Sequence, residues 1–80
     1  MQITLGFRYY GTFMAIQCKS NDTLNSVFDR YCMKALIPRN GLAFCYKGQR
    51  IIGDNRTIIE HDFQNLCVFD VCLHHILTGA

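Results

Sequence analysis

The sequence has no long run of apolar residues, no cluster of basic residues, and no basic segment followed by an apolar one at its start. A membrane-spanning helix needs about 20 mostly apolar residues, so none is expected. Because a secretory signal pattern is missing, we expect the protein in the nucleus and cytoplasm. The basic residues are scattered and the net charge is only +2, which falls short of a nucleic-acid-binding surface.

Cysteine pairs with metal-binding or redox spacing are also missing. The odd set of five cysteines contains no Cys-x-x-Cys motif, and its members are Cys18, Cys32, Cys45, Cys67 and Cys72. We therefore expect reduced thiols. A metal site built from Cys72, His74 and His75, with His61 as a further ligand, is the alternative. Neighbouring strand residues point to opposite faces, so this spacing supplies too few ligands, and we expect no metal and no other cofactor.

The composition that remains is typical of one small globular domain. The 80 residues are 50% hydrophobic and 18% charged, which is too apolar for a disordered chain. A chain of this length buries only about 60% of the surface that its unfolded form exposes, so we expect a single core. We predict one domain over residues 1–73, a flexible tail over residues 74–80, and a monomer.

The first half of the chain changes its hydrophobic period once. Residues 2–8 alternate apolar with polar side chains. A second alternation sets Met14, Ile16 and Cys18 against Phe13, Ala15 and Gln17, and either set could face inward. The short connection between the two segments predicts an antiparallel β-hairpin. Helical spacing follows in an apolar stripe made of Leu24, Val27, Phe28, Tyr31, Cys32 and Ala35. This stripe predicts an amphipathic helix of about three turns with Thr23 as its N-cap. Pro38 should end the helix, because proline disfavours the helical conformation at the preceding residue.

Residues 46–57 organise the second half of the chain. Residues 42–46 and 49–52 predict two strands joined by a turn at Gly48, since glycine tolerates the positive φ of a tight turn. Thr57 and Glu60 have the spacing of a capping box, which predicts a brief helix through Ile58 and Ile59.

A final strand is predicted over residues 67–73, because the inward positions Phe69, Val71 and Leu73 alternate with other residues. One helix can cover one face of a mixed sheet of four or five strands. The fold class that we predict is therefore α+β.

Several motifs occur together with this order of elements. Gly48-Gln49-Arg50-Ile51 is followed by Asp54-Asn55-Arg56-Thr57, Tyr31-Cys32 lies in the helix, Pro38 and Asn40 lie in the loop, and Thr78-Gly79 closes the pattern. The chain thereby resembles the ubiquitin-like β-grasp family, and within it the small ubiquitin-related modifiers (SUMO). The resemblance covers nearly the whole chain and implies a β-grasp fold.

The resemblance implies a protein tag and not an enzyme. The C-terminal carboxyl of such a tag is activated, passed between enzyme cysteines and joined to lysines of target proteins. The conjugation tail would be Thr78, Gly79 and Ala80, with Ala80 in place of the second glycine of the family. The partners implied are SUMO activating and conjugating enzymes and a SUMO protease. The alternative is a non-conjugated binding module that docks peptides or the conjugating enzyme.

The resemblance also implies a non-covalent site for SUMO-interacting peptides. Such a hydrophobic peptide with acidic neighbours adds to the second strand and lies in the groove beside the helix. The matching residues are Ile16, Gln17, Cys18, Lys19, Val27, Tyr31 and Lys34. Gln17 and Ser26 stand where the family often has lysines, so we expect weaker binding of acidic peptides. Core packing remains the alternative for Ile16, Val27 and Tyr31, because apolar stripes usually face a core.

Overall fold

A computed structural model describes residues 2–74 of the chain. Its elements are β1 (Gln2–Tyr9), β2 (Thr12–Lys19), α1 (Leu24–Ala35), a short 3-10 helix (Arg39–Gly41), β3 (Leu42–Tyr46), β4 (Gln49–Ile51) and β5 (Val68–Leu73). The predicted hairpin, helix, middle strands and last strand are confirmed to within a residue or two. The helices found over residues 2–74 are all too short or too polar to cross a membrane.

The strands described over residues 2–74 form one five-stranded mixed sheet in the order β2-β1-β5-β3-β4. β1 pairs antiparallel with β2 and parallel with β5, and β3 pairs antiparallel with both β4 and β5. A parallel pair needs a long crossover connection, and here that connection contains α1 and the β3–β4 hairpin. The last strand therefore lies at the centre of the sheet, and the predicted α+β class is confirmed.

Both hairpins close through two residues with positive φ. Tyr10 and Gly11 have φ of 45° and 84°, and Lys47 and Gly48 have φ of 52° and 81°. Two-residue loops with positive φ at both positions match the right-handed twist of the strands. The turn predicted at Gly48 is therefore present, and glycine takes the more extended positive φ in each loop at no steric cost.

The core lies between α1 and one face of the sheet. Thr23 caps the N-terminus of α1 as predicted, because its Oγ1 accepts a hydrogen bond from the backbone N–H of Ser26 at 3.2 Å. The apolar stripe of α1 is buried as predicted, at Leu24, Val27, Phe28, Tyr31 and Cys32. Phe28 stacks on Phe44 with ring centroids 3.9 Å apart. The packed aromatic rings join α1 to the central strands.

The helix ends at Ala35, just before the position at which Pro38 would end it. Leu36 has the left-handed φ of 61°, and the N–H of Ile37 donates to the carbonyl of Cys32 at 3.2 Å. This bond across the left-handed residue is the usual C-terminal closure of a helix, a position that glycine normally occupies.

The prediction of a brief helix through Ile58 and Ile59 is wrong. The capping-box hydrogen bonds do form, because the N–H of Thr57 donates to Glu60 Oε1 at 2.8 Å and the N–H of Glu60 donates to Thr57 Oγ1 at 3.2 Å. The segment nevertheless folds as turns. The N–H of His61 donates to the carbonyl of Thr57 at 3.1 Å, which closes one helical turn, but Asp62 then takes a left-handed φ of 62° and ends it. The N–H groups of Ile58 and Ile59, which would have no partner within the first turn of a helix, donate to carbonyls of the β2–α1 loop at 2.9 and 3.0 Å.

Candidate functional site

β2 forms one edge of the sheet, because among residues 2–74 it pairs only with β1. An edge strand presents backbone N–H and C=O groups that can pair with another chain. Edges of this kind are usually short, charged or covered, which lowers the risk of unwanted association. Open and covered stretches of the β2 edge therefore define where a peptide strand can be added.

The parity of β2 determines which backbone groups face this edge. In an antiparallel pair, alternate residues direct their backbone groups toward the neighbouring strand and the others direct them away. The N–H of Lys19 donates to Asp22 Oδ2 at 2.8 Å, and the carbonyl of Gln17 accepts from Arg30 Nη1 at 2.7 Å. The odd-numbered residues of β2 therefore face the edge.

The edge is closed at one end and open at the other. Asp22 and Arg30 cover the backbone groups at Lys19 and Gln17, and the two side chains lie 3.5 Å apart, from Arg30 Nη2 to Asp22 Oδ2. Among the described residues, no hydrogen bond outside the β-ladder involves the backbone of Phe13 or Ala15. The open stretch is therefore the half of β2 nearer the hairpin turn.

The predicted groove residues are divided between the core and the surface. Ile16, Cys18, Val27 and Tyr31 are only 2%, 4%, 0% and 2% exposed, and they belong to the hydrophobic core. Gln17, Lys19 and Lys34 are exposed. Core packing is thus what the structure shows for the apolar members. Peptide binding by this set stays a prediction.

Two surface depressions meet at the contact between Arg30 and Gln17. One, of about 510 Å³, is also lined by Lys19 and Asp22. The other, of about 410 Å³, is also lined by Ala15 and Lys34. Because both depressions are lined by Arg30 and Gln17, this contact divides the groove beside β2 into two parts.

Arg30 and Asp22 are the residues of this site that the sequence analysis missed. In the sequence, Arg30 is only one of several scattered basic residues. A signal existed, because Arg30 lies four residues before Lys34 and residues at this spacing share one face of a helix. The contact with β2 could be found only from the orientation of α1 against the sheet.

The two thiols in the core, those of Cys18 and Cys32, are poorly suited to nucleophilic chemistry. Burial raises the pKa of the Cys18 thiol, and the neighbouring Asp22 raises it further while Arg30 opposes the shift. Burial likewise raises the pKa of Cys32. Raised values keep both thiols protonated, whereas a nucleophilic cysteine requires the thiolate. All five cysteines lie within the described residues and are free.

A second polar cluster ties the loop before β5 to the start of α1. His61 Nε2 lies 2.8 Å from Asp54 Oδ1, and the hydrogen bond with His61 lowers the pKa of the Asp54 carboxyl. The backbone carbonyl of Asp54 accepts the N–H of Asn25 in the first turn of α1 at 3.0 Å. Over residues 2–74, no group of three or more His, Cys, Asp or Glu residues is arranged to hold a metal ion. His61 thus has a structural partner.

The predicted conjugation tail falls outside the part of the chain that the structure describes. Thr78, Gly79 and Ala80 all follow residue 74. β5 ends at Leu73, at the boundary predicted between domain and tail. The tail and its role in conjugation therefore stay predictions.

The strand order, the central parallel pair and the helix across one face define the ubiquitin-like β-grasp fold. Solved structures agree with this class. A ubiquitin of Caldiarchaeum subterraneum superposes with a TM-score of 0.81 at 16% identity, over 92% of this chain and 95% of that chain. The ubiquitin-like domain of an Arabidopsis thaliana protein gives 0.78 at 17% identity, over 90% of this chain and 77% of that chain.

Sequence comparison adds no narrower class. No protein-family model matches the chain, and no curated protein matches it. The structural likeness at such low identity shows the fold. The chain therefore has a ubiquitin-like fold.

Proposed function

We propose that this protein is a SUMO-like modifier that is read by hydrophobic peptides at the β2 edge and attached to lysines of target proteins. The observation that supports the docking role is the open stretch of β2 beside basic side chains. Within residues 2–74, the edge-facing backbone groups of Phe13 and Ala15 have no hydrogen-bond partner and could pair with an added strand. Backbone pairing supplies affinity in this mode, and the side chains around it supply specificity.

The charge around the edge favours an acidic partner. Arg30 lines both depressions, Lys19 lines the first and Lys34 lines the second. Asp22 is an acidic residue in the lining of the first. Exposed ion pairs contribute only about 0.2–1 kcal/mol each, so they select and orient a peptide more than they hold it. The peptide that fits is extended and apolar, with at least one carboxylate.

The covalent role rests on the resemblance at the tail. Thr78-Gly79 matches the motif that SUMO enzymes take up, and glycine suits a narrow channel because it has no Cβ. In this proposal the protein is itself not an enzyme. Its partners are the activating and conjugating enzymes, the SUMO protease and proteins with SUMO-interacting motifs, in the nucleus and cytoplasm.

A second candidate function is favoured by Ala80. This residue stands where the family has its second glycine, and its methyl group would lie beside the reacting carbonyl. In this candidate the protein is a non-conjugated module that docks peptides or the SUMO-conjugating enzyme through the same ubiquitin-like surface.

A thioester assay separates the two candidates. The protein and its Ala80→Gly variant are incubated with SUMO activating enzyme, conjugating enzyme and ATP, and thiol-sensitive adducts are detected on gels without reductant. A modifier forms an ATP-dependent adduct in the native sequence, and Gly79→Ala serves as a matched tail control that weakens it. If only Ala80→Gly forms the adduct, the covalent role of the native protein is rejected and Ala80 is the reason. If neither forms it, the covalent role is rejected.

A further inference from the structure

We infer that an added peptide pairs first with Phe13 and Ala15, and that Arg30 acts as a latch which must leave Gln17 before pairing extends along β2. The inference rests on the proposed docking function and specifies where the partner binds. It also specifies the partner's chemistry, which is an extended apolar peptide with a carboxylate placed to receive Arg30.

The first step follows from the hydrogen bonds already made at the edge. The carbonyl of Gln17 is occupied by Arg30 Nη1 at 2.7 Å, and the N–H of Lys19 is occupied by Asp22 Oδ2 at 2.8 Å. Among residues 2–74, no such contact covers the backbone of Phe13 or Ala15. A peptide strand thus meets open donors and acceptors near the hairpin turn and occupied ones farther along.

Arg30 is placed to exchange partners. Its side chain is 42% exposed, and its contact with Asp22 is long at 3.5 Å. The bond to Gln17 joins a guanidinium to a neutral carbonyl, whereas a carboxylate can accept two parallel charge-assisted hydrogen bonds from the same group. A peptide carboxylate near Gln17 would therefore take Arg30 over and free the carbonyl for backbone pairing.

The outer face of the open stretch supplies an apolar contact. Phe13 is 62% exposed, and its ring covers Gly6 on β1 so closely that an added Cβ there would lie 2.6 Å from Phe13 Cζ. Alternate side chains of an added strand project onto this outer face. One apolar side chain of the peptide would therefore pack against the Phe13 ring.

Two peptides and two variants test the latch. The peptides share an extended Val/Ile core, and one carries Asp and Glu where the other carries Asn and Gln. Arg30→Met keeps much of the side-chain length but removes the donor. Lys34→Met is the matched control, because it removes a charge from the same helix face. Affinities are measured by calorimetry, and a thermal melt verifies that each variant folds. Arg30→Leu, which also lacks a donor, replaces Arg30→Met if that variant does not fold.

The latch predicts opposite changes for the two peptides. Arg30→Met should bind the neutral peptide about three- to tenfold more tightly than the wild type, because the Gln17 carbonyl no longer has a competing donor. It should also lose most of the preference for the acidic peptide. Lys34→Met should weaken binding of the acidic peptide slightly and should not bind the neutral peptide more tightly, because Arg30 still occupies the Gln17 carbonyl. Equal affinity of wild type and Arg30→Met for the neutral peptide would overturn the latch.

A measurement without peptide keeps this test separate from the docking function. The carbonyl carbon of Gln17 should shift in the NMR spectrum of free Arg30→Met, because its hydrogen bond is lost, and should stay in place in Lys34→Met. An unchanged carbonyl shift rejects the latch even if peptides bind. A changed shift with no binding of either peptide by any variant rejects the docking function and with it the proposed peptide register.

Discussion

Replacement of Leu36 by glycine should stabilise the protein although it deletes a large apolar side chain. Leu36 ends α1 in the left-handed conformation with φ of 61°, and it is 89% exposed. A side chain with a Cβ costs roughly 1–2 kcal/mol in this conformation. Glycine escapes that cost but loses about 0.5–1 kcal/mol through the greater freedom of its unfolded chain. Because Leu36 buries so little surface, the net gain should be about 0.5–1 kcal/mol.

Thermal unfolding followed by circular dichroism measures this gain. A change of 1 kcal/mol shifts the Tm of a domain of this size by about 4–8 °C, so Leu36→Gly should raise it by roughly 2–8 °C. Leu36→Ala is the control, because alanine keeps the Cβ and therefore the strain, and its unfolding free energy should stay within about 0.5 kcal/mol of the wild type. A Tm for Leu36→Gly no higher than that of Leu36→Ala would refute the argument.

Two further predictions concern the core and the loop beside α1. Phe28→Ala should lower the free energy of unfolding, measured in urea, by about 3–5 kcal/mol, because Phe28 is fully buried. Met33→Ala is the control at an exposed position and should change this free energy little. Similar losses in the two variants would contradict the described packing. The hydrogen bond with His61 lowers the pKa of Asp54 in the folded protein. The ionised Asp54 carboxyl therefore stabilises the fold above the ordinary carboxyl pKa of about 3.9, and this stabilisation is lost as the pH falls through the pKa of Asp54 in the folded state. The Tm of wild type and Asp54→Asn should therefore differ near neutral pH and converge in acid, and a constant gap would count against this pair.

The fold could be predicted where local pattern and tertiary packing agree. The stripe of α1 has one helical face to bury, and Thr23 supplies the N-cap that the pattern demands. Residues 57–60 show the opposite case. Their capping-box bonds form as the sequence indicates, but Asp62 takes a left-handed φ of 62° and ends the turn, while Ile58 and Ile59 donate their N–H groups to the β2–α1 loop. A motif of four residues specifies its own hydrogen bonds and not those of its tertiary neighbours.

The candidate site was harder to predict because its parts come from separate elements. Ile16, Val27 and Tyr31 are apolar at the correct spacing, but both a core and a groove need such residues, and burial assigns them to the core. Arg30 reaches a β2 carbonyl 13 residues earlier in the chain. That contact depends on how α1 lies across the sheet, which periodicity does not reveal.

The central claim is that an extended peptide adds to the β2 edge. Titration of an apolar, acidic peptide into the labelled protein, followed through backbone amide chemical shifts, tests this claim most directly. The largest shifts should occur at Phe13, Ala15 and Gln17, with smaller ones at Lys19 and Arg30. Shifts confined to β4, the opposite edge of the sheet, would contradict it.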